Sequence, residues 1–233
     1  MFKTSVAAAI SLFAFLLSAQ ANALSVTQCG PTICYKYDDA QAAVAEFGQP
    51  TFIGDVVRFL PPSFRAQSDD GAGFDTATAN FIFDDVYTLS GADIGYIGVT
   101  EYGDYEITNG DSVSADLYLQ IASNVDGLNF ATTTASFDAV GDSGGLQQWN
   151  LAAHLNPDQE LNLFGDTWDV ANSMSLNIQN TLQAYTNADG ETAWIQKKIS
   201  LTVSEVPVPA AVWMFGSGLG LLGFLRRRKL GVQ

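Results

Sequence analysis

The 233-residue sequence predicts a mainly β protein: a single antiparallel β-sandwich, jelly-roll-like, with one short helix, between an N-terminal signal peptide and a C-terminal transmembrane helix. Two observations carry the sandwich. Long stretches alternate apolar and polar residues with a period of two, and Asx-Gly turn signals punctuate them. A third observation, an apolar run near each end, carries the flanking segments.

Lys3 precedes an apolar stretch at 6–17, and Ala21-Asn22-Ala23 follows, with small residues at Ala21 and Ala23 where signal peptidase cuts. Residues 1–23 read as a secretory signal peptide, and the mature chain is expected to begin at Leu24. The run is too short to cross a hydrocarbon core of about 30 Å as a stable helix. Cys29 and Cys34, the only cysteines, flank Gly30-Pro31-Thr32-Ile33. In an oxidising compartment they predict a local disulfide, because the spacing is not C-x-x-C and no further ligands accompany them.

Residues 24–205 form the expected passenger domain, long enough for one proper core. A helix is predicted over 39–47, with Asp38 or Asp39 as its cap, alanines in its middle and Gly48 at its end. Segments 51–60, 79–89 and 94–107 are rich in Phe, Tyr, Ile and Val and read as strands. Val113, Ala115, Leu117, Leu119 and Ile121 lead through Asn124-Val125-Asp126-Gly127 into 128–137, which predicts a hairpin. Met174, Leu176, Ile178, Leu182 and Ala184 alternate with polar residues, and Asn180 alone is out of phase. After Asn187-Ala188-Asp189-Gly190 the pattern resumes as Ala193, Ile195, Ile199, Leu201 and Val203. These two segments predict a second antiparallel hairpin with one buried face.

The tail has its own grammar: Val206-Pro207-Val208-Pro209, an apolar segment at 210–225, the basic cluster Arg226-Arg227-Arg228-Lys229, then residues 230–233. The prolines block helix propagation and favour extended backbone before them. Sixteen residues at 1.5 Å rise reach roughly 24 Å, a marginal span, and the basic cluster should stay cytoplasmic. Residues 206–229 resemble the PEP-CTERM sorting signal in its V-P-x-P-A-A variant, with Ala210-Ala211 completing the motif. The resemblance implies recognition by the membrane enzyme exosortase and a transient stay in the inner membrane. Cleavage at the proline motif and delivery to the surface or extracellular space would follow, in a Gram-negative bacterium making exopolysaccharide or biofilm. One departure is Val208, where the family's namesake has glutamate. An ordinary single-span anchor is the alternative, and either keeps the passenger outside the cytoplasm.

All 25 acidic residues lie between the two expected cleavage points, against five basic ones, so the passenger carries about −20. That charge excludes nucleic acid as a partner, which needs a basic footprint. Gly141-Asp142-Ser143-Gly144-Gly145 matches the nucleophile loop of chymotrypsin-like proteases, but the single histidine, His154, lies downstream, where that family places it well upstream; a turn explains the pentapeptide equally. Gly218-Leu219-Gly220-Leu221-Leu222-Gly223 spells a dinucleotide fingerprint without its βαβ unit and reads as a small-residue face of the tail segment.

Acidic loops are the candidates for a cofactor: Asp69, Asp70 and Asp75, then Asp84-Asp85, then 187–191, each able to offer calcium several oxygens, though turn chemistry uses the same residues. Among Trp149, Trp168 and Trp194, Trp194 lies on the strand face opposite Ile195 and Ile199 and is the candidate platform for a sugar ring. The expectation is a non-enzymatic envelope or matrix protein, associated with exopolysaccharide, without cofactor unless calcium. A calcium-dependent carbohydrate-binding module and a secreted hydrolase are the alternatives.

Overall fold

The computed structural model describes residues 24–124, 129–160 and 171–205. The signal segment, the 206–229 sorting motif with its basic cluster, the 125–128 turn and Trp168 lie outside the described residues. Within them the chain is two antiparallel sheets facing each other.

Cys29 and Cys34 are disulfide-bonded. They are register partners at the closed end of a hairpin formed by β1 (Ser25–Cys29) and β2 (Ile33–Asp38). The strand expected at 51–60 is split by Gly54-Asp55 into β3 (Thr51–Ile53) and β4 (Val56–Phe59), because Gly54 at φ +63° supplies the left-handed residue of a two-residue turn. There follow β5 (Arg65–Asp69), β6 (Gly73–Thr88), β7 (Ile94–Thr108), β8 (Ser112–Ser123), β9 (Phe130–Val140), β10 (Gln147–Leu155), β11 (Ser173–Thr186) and β12 (Thr192–Glu205). The expected strands at 79–89 and 94–107 are thus β6 and β7, each longer than its apolar run. The hairpin expected around residue 124 is β8 with β9, in register from Ser112↔Val140 to Ala122↔Phe130.

The first sheet runs β1-β2-β6-β11-β8-β9 and the second β10-β7-β12-β4-β3, with β5 also pairing β12. Here one expectation is corrected. β11 and β12 do not form a hairpin: β11 lies between β6 and β8 in the first sheet, and β12 pairs β7, β4 and β5 in the second. Both strands bury a full apolar stripe, and that stripe is covered as well by a facing sheet as by a neighbour in the same one, so alternation names the buried face but not the pairing partner. The 187–190 turn therefore arches across the sandwich.

The helix is also shorter than expected. α1 is Ala43–Phe47, with Ala42 at its N-cap and no side-chain cap. Asp38 instead accepts the Ala40 N–H at 2.9 Å, and the Gln41 amide pairs with both backbone groups of Ile82. Residues 39–42 are spent leaving the end of β2, and only one turn remains for the helix. Gly48 ends it as expected, at φ +77°. A second single turn, α2 (Pro157–Glu160), follows β10.

Between the sheets, Phe81, Phe83, Leu176, Ile178, Leu117 and Leu119 from one side meet Val99, Ile195, Ile199, Leu201, Trp149 and Leu151 from the other. Phe47 of α1 plugs one margin, its ring 5.4 Å from Phe59 and 5.9 Å from Phe64 and Phe81. Among the described residues this interior buries two charged side chains, Glu101 and Lys197, with Asn180 buried beside them.

Candidate functional site

The outer face of the second sheet gathers the side chains best suited to a ligand. The even-numbered positions of β12 and β7 point outward, since the odd ones are buried, and the register aligns them across strands. Gln148, Asp104, Gln196 and Arg65 form one row, and Asn150, Tyr102 and Lys198 the next. Arg58 lies opposite Ser200, one residue pair further on. Of the five lysines and arginines in residues 24–205, Lys197 is buried and Lys36 belongs to the first sheet, so Arg58, Arg65 and Lys198 on this face account for the rest. In a domain of about −20, that is a local departure from the average field.

Aromatic surface accompanies the cations. Tyr102 is 45% exposed and Tyr96 39%, the latter stacked on His154 at 5.9 Å. Trp194 is half-buried, and the Arg65 guanidinium lies 4.2 Å from its ring centroid, a cation–π contact. Shallow depressions of about 340 Å³, against Pro61, Ser63 and Phe64, and about 260 Å³, against Gln148 and Asn150, adjoin Lys198. The ground between them is set by Gly103. A Cβ there would fall 1.8 Å from the Gln196 carbonyl oxygen, so only glycine permits this approach of β7 to β12. The same carbonyl accepts the Trp149 indole N–H at 3.0 Å. Rings for stacking, amides for hydroxyl groups and fixed cations for anions make a surface able to hold an extended polar polymer.

The other candidate residues are placed as follows. The 69–75 and 187–191 loops interlock: the Gly190 N–H donates to Asp70 Oδ1 at 3.0 Å, and the Asp70 N–H to the Glu191 carbonyl at 2.9 Å. Asp69 and Asp75 each accept from Gln67, through its side-chain amide and its backbone N–H respectively. Among the described residues no three His, Cys, Asp or Glu side chains gather as a metal set. Asp85 accepts from Asn124 and Ser173 at 2.8 Å each. Ser143 latches its loop to β7, its Oγ accepting the Ile107 N–H at 3.0 Å and donating to the Gly145 carbonyl at 2.7 Å. His154 pairs in register with Gly98, at the far end of β7, so Ser143 and His154 never meet. Trp149 is buried and packs on Phe137.

Tyr102, Arg58, Arg65 and Lys198 carry no motif, and strands distant in sequence bring them together. The available signal was their shared outward phase.

No family model matches the chain, and no curated protein does. Among solved structures, TmCBM61 in complex with β-1,4-galactotriose aligns over 72% of this chain and 96% of its own, at 10% identity and a TM-score of 0.21. A TM-score that low carries neither fold nor ligand from that protein to this one.

Proposed function

We propose that this chain is an exported, non-enzymatic component of the cell envelope or extracellular matrix, delivered by its C-terminal sorting segment and held against anionic exopolysaccharide by the outer face of its second sheet. The observation that carries the binding half is the grouping of Arg58, Arg65 and Lys198 with Trp194 and Tyr102. Sugar rings offer flat C–H surface to aromatics, and uronate or similar anions along the polymer answer the cations. The disulfide at the head of the domain fits the same destination, since such bonds persist where thiols are not kept reduced. The sorting half rests on the 206–229 resemblance.

Affinity electrophoresis of the full chain through gels containing an anionic or a neutral polysaccharide tests the binding. Retardation in the anionic gel, lost in Arg65→Ala and in Lys198→Ala, is expected; equal mobility in all gels would remove this function. Mass spectrometry of the protein recovered from culture tests the sorting: loss of everything beyond about Pro209 supports it, and an intact Arg226-Arg227-Arg228-Lys229 end contradicts it. The calcium-dependent form of this reading draws on the interlocked 69–75 and 187–191 loops. It requires calcium to raise the melting temperature, and an unchanged transition would leave the calcium-free form.

A further inference from the structure

The charged interruption of the core is a glutamate that contacts both a lysine and an asparagine. Lys197 and Glu101 project inward from neighbouring strands of the second sheet, with Nζ 3.4 Å from Oε2 and 3.5 Å from Oε1, and neither side chain has any exposed surface. Asn180 faces them from β11, the central strand of the first sheet, and its Nδ2 donates to the same Glu101 Oε1. Its Oδ1 has no hydrogen-bond partner. Aromatic rings wall the group: Nζ lies 4.5 Å from the Phe64 centroid and 5.7 Å from that of Phe47.

As a purely structural ion pair this is a poor arrangement. Desolvating two charges is rarely recovered by their attraction, and an orphaned amide oxygen adds a further cost. As a reaction centre it is complete. A lysine amine becomes a nucleophile when apolar surroundings hold it neutral, and a buried carboxylic acid held protonated moves protons at ordinary pH. Neither charged side chain reaches bulk water, the competing nucleophile.

We infer that Lys197 and Asn180 are joined by an intramolecular isopeptide bond, formed with Glu101 as proton shuttle, which ties the two sheets of the sandwich together. The Lys197 Nζ lone pair attacks Asn180 Cγ, pushing charge onto the amide oxygen, and the protonated Glu101 carboxyl donates to Nδ2, the amide atom it already contacts. Glu101 then takes up the proton lost by Nζ as the carbonyl re-forms and Nδ2 departs. The Cγ–Nζ bond forms, the Cγ–Nδ2 bond breaks, one ammonia leaves, and nothing is oxidised or reduced. Glu101 ends as it began, catalytic in the strict sense because it touches the reacting atoms. Burial moves both groups toward those states: it raises the Glu101 pKa above its ordinary value and pushes Lys197 down to about 8, against the opposing pull of each partner's charge.

The test is peptide mapping of the full-length wild-type chain. Glu191 lies between the two residues, so cleavage after glutamate should leave the Asn180 and Lys197 fragments covalently joined. Their summed mass should be short by one ammonia, about 17 Da, and trypsin should fail to cut after Lys197. Glu101→Gln should retain the Cys29–Cys34 disulfide but release separate fragments of full mass, as should Lys197→Met. Separate, full-mass fragments from folded wild-type protein would overturn the inference. So would a loss of ammonia that persists in Lys197→Met, which would place the change at an asparagine succinimide.

Discussion

Asp55 sits in the β3–β4 turn of the second sheet, yet its carboxylate serves the first. It accepts the backbone N–H groups of Thr32 and Ile33, both at 3.0 Å, and the Thr32 hydroxyl at 2.9 Å, while its carbonyl accepts the Tyr35 hydroxyl. Three hydrogen bonds to one carboxyl group fix the disulfide turn against the opposite sheet. Asp55→Ala should cost on the order of 3 kcal/mol in denaturant unfolding, and Asp55→Asn roughly half as much, since the amide keeps one acceptor oxygen. Asp116 illustrates the opposite sign. Partial burial, and then the charge of Asp138, raise its pKa, so the fold favours the protonated form and is penalised as pH rises through that value. Asp116→Asn should therefore raise the melting temperature at neutral pH, and the gain should fade below about pH 3, where aspartate is protonated in the folded and the unfolded chain alike.

Gly103 extends the same scale toward the candidate site. Gly103→Ala would drive its methyl group into the Gln196 carbonyl, a backbone atom that cannot swing aside, and should destabilise by about 3 kcal/mol in the same assay. It should also displace the Trp149 indole that shares this carbonyl, visible as a shift in tryptophan emission.

At the level of elements, the β1–β2 disulfide closes a short loop at the outer edge of the first sheet. Chain-entropy arithmetic for so short a loop gives about 2 kcal/mol, and β1 has a single neighbouring strand to lose. Reduction should accordingly expose β1 amides to hydrogen exchange while β6 and β11 stay protected. The same elements show what a linear pattern can specify. β8, β11 and β12 are legible because each buries every second side chain, and so is β6 from Ala79 on; a period of two survives without knowledge of the partner. β1, β2 and β5 are too short or too polar for that signal, and Ala152 on the outer face of β10 blurs its alternation. The β11–β12 connection is illegible for a different reason: a turn signal marks where the chain reverses, not whether it returns to the same sheet. The reactive group was visible only as faults in phase. Asn180 breaks the apolar stripe of β11, and Lys197 occupies the inward position between Ile195 and Ile199. What the pattern could not supply was that the two faults, with Glu101, coincide in space.

Across residues 24–205 as a whole, 25 acidic side chains face five lysines and arginines, a charge of about −20 with few cations to answer it. Self-repulsion should make the fold more stable as salt rises, until screening shortens the electrostatic reach to about 8 Å near 0.15 M. A melting temperature a few degrees higher at 0.15 M than at 0.01 M salt is expected by calorimetry, while retardation in the anionic polysaccharide gel should weaken over the same interval.

The placement of β12 has one more consequence. The strand that leads out of the described domain toward the proline motif is not an edge strand: β7 flanks it along its whole length on one side, and β4 and β5 share the other. Tension applied at Glu205 would run along the strand axis, so both ladders would be loaded in shear and would have to yield together. An edge strand would peel one rung at a time. A domain tethered by this strand would hold against drag with its hydrogen bonds acting in parallel.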